Sequence, residues 1–225
     1  MGSVESYEKI RNENIGYVEN GRIERAEAFR PGFDAGARGY VLQIAASDSL
    51  DGYDDLISGF REVEPDQYYY PESDIHVTVF EFVSVRSDFR NYEKDIGAFE
   101  EVCTEALREV GPFEIALLGT VFTRTSGILA GYDDDILTEI RDGIRNRSRA
   151  RGIAPLERYR SESAHISFMG YRAELRDRRG FLKLAKATRD LDLGTMTVRR
   201  LELVEHDWLN RIGERTLLRE YELGK

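Results

Sequence analysis

Apolar and polar positions along the chain alternate between two periods. Gly39–Ala46 (GYVLQIAA) reads as a strand, and Asp48 or Ser49 can cap a helix running to about Val63. Ile75–Val83 alternates strictly. His76, Thr78, Phe80 and Phe82 are expected on one face, and Val77, Val79, Glu81 and Val83 on the other. From Tyr92 to Val110 the period changes to 3.6, with Ile96, Phe99, Val102, Cys103, Ala106 and Leu107 on one stripe and Gly111-Pro112 as the stop. Two strands, Phe113–Arg124 and Ser126–Tyr132, precede a helix that Asp133 can cap and that Ile136, Ile140 and Ile144 line. A strand at His165–Tyr171, a helix from Arg178 to about Leu191 and strands at Thr195–His206 and Arg215–Leu223 complete the series.

The first 38 residues differ. Ile10, Ile15, Val18, Ile23 and Phe29 are scattered, and the breaker run Arg30–Gly36 ends the segment. Residues 1–38 therefore read as an irregular or partly helical extension laid over the main body, and residues 39–225 as the domain. Within that domain the order repeats. In each half a strand leads to a helix and then to a strand that opens with histidine, which predicts two related lobes intertwined in sequence.

Composition narrows the chemistry. The chain has 225 residues and a formal net charge of −10, from 32 Lys and Arg against 42 Asp and Glu. That acidity disfavours long duplex nucleic acid but leaves room for a local phosphate site. The basic run from Arg141 to Arg160 reads mainly as a solvated helix face. No apolar run is long enough to span a membrane, and the first ten residues are unlike a signal peptide. The single cysteine, Cys103, excludes an internal disulfide; it reads as a buried helix residue and fits a cytoplasmic setting. The sequence sets no oligomeric state.

Two of only three histidines open near-twin strands, His76-Val77-Thr78 and His165-Ile166-Ser167. Strand period projects each histidine with its hydroxyl partner. Two facing pairs suit phosphodiester hydrolysis. One imidazole takes a proton, the other gives one, and the hydroxyls bind non-bridging oxygens. No metal-ligand pattern and no cofactor motif accompanies them. The third histidine, His206, reads as structural. Tyr68 and Tyr70 in the run before His76, and Tyr159 with Ser161 and Ser163 before His165, are candidate cleft walls.

The paired motifs, their spacing and the two-lobed order resemble the 2H phosphoesterase superfamily, which includes RNA 2′,5′-ligase-like proteins and cyclic nucleotide phosphodiesterases. The resemblance covers about Gly39 to Leu223. It implies an α+β fold with pseudo-twofold symmetry, two antiparallel sheets lining a central cleft and helices outside. It further implies His76 and His165 as the acid/base pair, Thr78 and Ser167 as phosphate donors, and a small nucleotide or RNA-terminal phosphate as substrate, a 2′,3′-cyclic phosphate first. Family members place an aromatic against the base, for which Phe80, Phe122, Phe168, Tyr132 or Tyr171 are candidates, with strand parity turning Phe168 away. Arg86 and Arg172 are the nearest basic residues beyond the motifs. A nucleotide-binding module without turnover, a 2′–5′ ligase or cleavage activity in the same cleft, and an unrelated metabolic enzyme are the rivals.

Overall fold

The computed structural model describes residues 3–46, 50 and 52–224, with the side chains of 3–6 excepted. The proposed helix cap at Asp48 or Ser49 lies outside the described residues. In chain order the elements are α1 (Ser3–Glu19), β1 (Arg38–Ala45), α2 (Tyr53–Val63), β2 (Tyr68–Tyr69), β3 (His76–Arg86), α3 (Ile96–Leu107), β4 (Phe113–Phe122), β5 (Ser126–Tyr132), α4 (Ile136–Ala150), β6 (Ile166–Gly170), α5 (Arg178–Ala187), β7 (Asp192–Val198), β8 (Arg200–His206) and β9 (Thr216–Glu222). The long helix expected over Tyr92–Val110 begins with a 3-10 segment at Phe89–Asp95 and is α-helical from Ile96 to Leu107.

The strands pair antiparallel in the order β7-β4-β5-β6-β3-β1-β8-β9, with β2 added beside β6. Two lobes are visible in that order: β3, β1, β8 and β9 in one, β7, β4, β5, β6 and β2 in the other. The expected two sheets meet at a single bridge, Val77 with Ile166, so hydrogen bonding makes them one curled sheet. Beyond the bridge the central strands part. The Leu156 segment takes over the edge of β3, through Leu156 N–H to Phe82 C=O and Ser84 N–H to Leu156 C=O, while β2 takes over the edge of β6. This fork opens the space between the lobes.

The single strand expected at Thr195–His206 is two strands interrupted at Arg199. β7 closes the edge of one lobe and β8 enters the other, so a run that reads as continuous β in sequence carries the chain between lobes. The helices cross over as well. α2 follows β1 yet packs with α5 behind the other lobe, where Phe60 stands 5.5 Å from Phe122 and from Phe168 and 5.6 Å from Phe181. α4 follows β5 yet packs with α3 behind β3, where Phe82 and Phe99 stack at 4.5 Å. Buried aromatic clusters of this size supply much of the apolar burial that holds each helix layer to its sheet.

α1 is a complete helix. Tyr7, Ile10, Asn14 and Val18 share one stripe, and tertiary packing stabilises a helix whose apolar pattern Asn14 interrupts. Tyr7 and Ile10 lie on Val121, Ile128 and Ala130. Ile128 is the register partner of Ser167, so α1 covers the sheet face that carries Ser167.

Candidate active site

Burial alternates along both motif strands. Val77 and Val79 are fully buried and His76 and Thr78 half-buried; Ala164, Ile166 and Phe168 are buried and His165 and Ser167 half-buried. All four motif side chains therefore share the face between the lobes. The Val77–Ile166 bridge is antiparallel, which sets His76 alongside Ser167 and Thr78 alongside His165. Each imidazole has a hydroxyl from the opposite lobe as its cross-strand neighbour.

Both rings are held by the residue two positions earlier. His76 Nδ1 lies 2.9 Å from the Asp74 carbonyl, which can only accept, so Nδ1 carries the proton and Nε2 the lone pair. His165 Nδ1 lies 2.9 Å from Ser163 Oγ. Burial lowers the pKa of His76 to about 4 against the support of the Asp74 carbonyl. Burial, then the Arg141 guanidinium and His76, lower that of His165 to about 4. Both rings are thus neutral at pH 7 in the unliganded protein.

Beneath them lies Arg141, 1% exposed. Its Nε donates to the Val79 carbonyl at 2.9 Å, and its Nη2 to the carbonyls of Thr78 (3.0 Å) and Ser163 (2.9 Å). It fills the gap where β3 and the strand leading to β6 separate, tying the lobes together and placing a fixed positive charge under the site. The solvated face expected for the basic run does not include Arg141.

No protein-family model and no curated protein matches the chain. Solved structures resemble it along most of its length, among them the following two. TT0787 of Thermus thermophilus is 15% identical with a TM-score of 0.56, the match covering 82% of this chain and 97% of that one. A protein described as a phosphoesterase is 13% identical with a TM-score of 0.52, the match covering 84% and 99%. The chain shares its fold with these two proteins.

In this fold several residues named from sequence keep part of their surface accessible. Tyr68 and Tyr70 are half-buried around buried Tyr69, with rings 5.0 Å apart and edge to face. Tyr159 is 58% exposed on the segment before β6. Tyr132 is on the cleft side of β5, but its ring meets Tyr7 of α1 at 5.3 Å.

Others do not reach the cleft. Phe80 is fully buried against Phe82, with Arg145 over its ring. The register of β1 on β3 jumps from Leu42–Phe80 to Gln43–Thr78, leaving Val79 unopposed, and this bulge reverses the parity on which the expectation for Phe80 rested. Phe122 packs at 4.9 Å on Phe181 and Tyr171 at 6.2 Å on the same ring, both in the core behind the sheet. Arg86 pairs with Asp88, and Arg172 Nε donates to the Asp66 carbonyl.

The bulge brings in a residue that strand alternation had turned away. Glu81, partner of Val41, stands on the cleft side, accepts the Arg158 N–H at 3.3 Å, and has its pKa raised by burial. His206 is 7% exposed, with neither ring nitrogen bonded, and burial lowers its pKa to about 3. Among the described residues no cluster of three His, Cys, Asp or Glu could hold a metal ion, and no helix is long and apolar enough to cross a membrane. A cavity of about 370 Å³ between α1, β4 and α5, lined by Ile15, Thr120, Leu182 and Arg189 among others, contains none of the motif residues.

Proposed function

We propose that the protein is a phosphodiesterase that hydrolyses a 2′,3′-cyclic phosphate or a related RNA-derived phosphodiester by two-histidine acid/base catalysis. The observation that carries this reading is the cross-strand arrangement of two imidazoles and two hydroxyls around one bridge. A phosphate seated there meets Thr78 and Ser167 as hydrogen-bond donors to its non-bridging oxygens, with the Arg141 charge below. One histidine takes a proton from the attacking water as the new P–O bond forms. The other protonates the ribose oxygen as the ring P–O bond breaks. Side chains alone supply the acid, the base and the oxyanion donors.

The environments favour one division of the roles. Protonated His76 is supported by the Asp74 carbonyl and carboxylate, although Arg215 opposes it. Protonated His165 has only the neutral Ser163 hydroxyl as an acceptor at Nδ1 and faces Arg141. His76 is therefore the acid and His165 the base. An anionic phosphodiester beside His76 raises its pKa, so the substrate itself favours uptake of the proton it later receives.

The leaving group tests the assignment. His76→Ala is expected to lose roughly 10²–10⁴-fold in kcat on a 2′,3′-cyclic nucleotide, the span of general acid catalysis, and much less on a 4-nitrophenyl phosphodiester, whose leaving group needs no proton. His165→Ala is expected to lose turnover on both. Equal losses for both substrates in His76→Ala would overturn the assignment, and a wild type inert toward both would overturn the activity.

A further inference from the structure

The segment that leads into β3 is clamped residue by residue. Ser73, Asp74 and Ile75 precede His76, and each is held by a bond from another part of the chain. The Ser73 carbonyl accepts from Arg215 Nη2 at 3.1 Å, and the Ile75 carbonyl accepts the Ala46 N–H at 3.1 Å. Between them the buried Asp74 carboxylate accepts the Ile212 N–H at 3.0 Å, and Ser73 Oγ donates to the same carboxylate oxygen at 2.9 Å. Arg215 and Ile212 both belong to the β8–β9 loop. The main-chain carbonyl of Asp74 is the one that fixes the Nδ1–H form of His76.

The loop is itself braced. The Asp207 carboxylate accepts the Arg211 N–H at 2.9 Å and the Arg211 Nε–H at 2.7 Å. Asn210 Nδ2 donates to Gln43 Oε1 at 2.6 Å, and Gln43 is the register partner of Thr78. The loop thus grips a neighbour of each polar residue of the first motif.

We infer that Asp74 is a positioning residue, whose carboxylate couples the β8–β9 loop to the ring of His76. With the carboxylate locked by Ile212 and the Ser73 carbonyl by Arg215, the peptide plane that meets Nδ1 keeps one orientation. His165 Nδ1 is held by Ser163, on a different segment, so the coupling acts on one histidine. Ile212→Pro isolates the bond. The Ile212 side chain is 61% exposed, and residue 212 opens a 3-10 turn, where the fixed φ of proline fits. Arg211 before it is already extended, at φ −61° and ψ 131°. The substitution therefore removes the N–H from Asp74 and little else.

The anchoring of the ring stands independently of the proposed activity, whereas its effect on turnover rests on the two-histidine reading. The test is ¹⁵N–¹H long-range histidine spectroscopy of the full chain at pH 7, for wild type, Asp74→Ala, Asp74→Asn and Ile212→Pro. kcat and KM for a 2′,3′-cyclic nucleotide are measured alongside. The wild type is expected to show His76 as Nδ1–H. Asp74→Ala and Ile212→Pro are expected to show a mixture of tautomers at His76 with His165 unchanged, and a roughly ten- to hundredfold fall in kcat at constant KM. Asp74→Asn keeps an oxygen that accepts the Ile212 N–H and is expected to restore most of both. Ile212→Pro carries the test if Asp74→Ala fails to fold. A wild-type His76 protonated on Nε2, or a His76 tautomer that Ile212→Pro leaves unchanged, would overturn the inference. So would an Asp74→Asn variant as impaired as Asp74→Ala, since the charge and not the hydrogen bond would then carry the effect. The expected histidine signals without turnover in the wild type would uphold the positioning and overturn the activity alone.

Discussion

One buried and two half-buried histidines are expected to make the protein sensitive to acid. His76 and His165 have folded pKa values of about 4 and His206 about 3, against an ordinary value near 6.5. The unfolded chain therefore binds more protons than the folded one between those limits. The histidine contribution to stability is complete above pH 6.5 and is lost as pH falls toward 4. His206→Leu is expected to reduce the loss of unfolding free energy between pH 7 and pH 5 by on the order of 1–2 kcal/mol, read by urea denaturation at the two pH values. An unchanged difference would mean that His206 is not held neutral in the folded protein.

The same pKa values shape the kinetics. kcat/KM reports the free enzyme, where the acid His76 has a pKa of about 4, so it is expected to decline as pH rises from 5 to 7. kcat reports the bound complex, where the phosphate raises that pKa, and is expected to persist to higher pH. Parallel profiles for the two constants would contradict the proton uptake argued for His76.

At this scale the motif histidines and hydroxyls were legible because strand alternation holds through Val79. Phe80 and Glu81 were not, because one unopposed residue reverses the faces and a bulge has no signature in HVTVFEF. Phe122 and Tyr171 satisfy the same alternation from either side of the sheet. Only the placement of α5 shows that their side is the core.

Among the elements, α4 carries the inter-lobe connection. Arg141 serves three main-chain carbonyls from its second turn, and Arg141→Met would leave all three buried acceptors without that partner. The cost is expected to exceed about 3 kcal/mol, since each unsatisfied buried group costs about 1–3, and Arg141→Lys should not restore it because an ammonium lacks the planar fork. Urea denaturation of both variants checks this; a loss under 1 kcal/mol (roughly one neutral hydrogen bond) would show the carbonyls are satisfied otherwise. Sequence periodicity located the strong helices and the long central strands. It missed the break at Arg199, where β7 and β8 differ only in the lobe they join, and the two-residue β2, which forms because β6 has a vacant edge.

For the whole molecule, the repeat of strand, helix and histidine strand predicted two lobes, and the sheet order shows them joined at one bridge. The exchange of α2 and α4 between lobes was not legible, because helix stripes do not say which sheet they cover. Nor was the roof. α1 lies over one lobe's inner face, Phe29 meets Tyr68 at 5.3 Å, and Asn210 from the β8–β9 loop donates to Gln43 beside Thr78 at 2.6 Å. A site covered from both sides suits a short or terminal phosphodiester better than an internal position in a long strand.

The most direct test of the two-histidine mechanism is turnover of 2′,3′-cyclic nucleotides in the presence of a chelator, with wild type, His76→Ala and His165→Ala compared alongside binding of the same nucleotide. Hydrolysis by the wild type is expected, with its loss in both variants and nucleotide affinity retained within about tenfold. Binding without turnover in the wild type would contradict the mechanism and leave a nucleotide-binding module in its place.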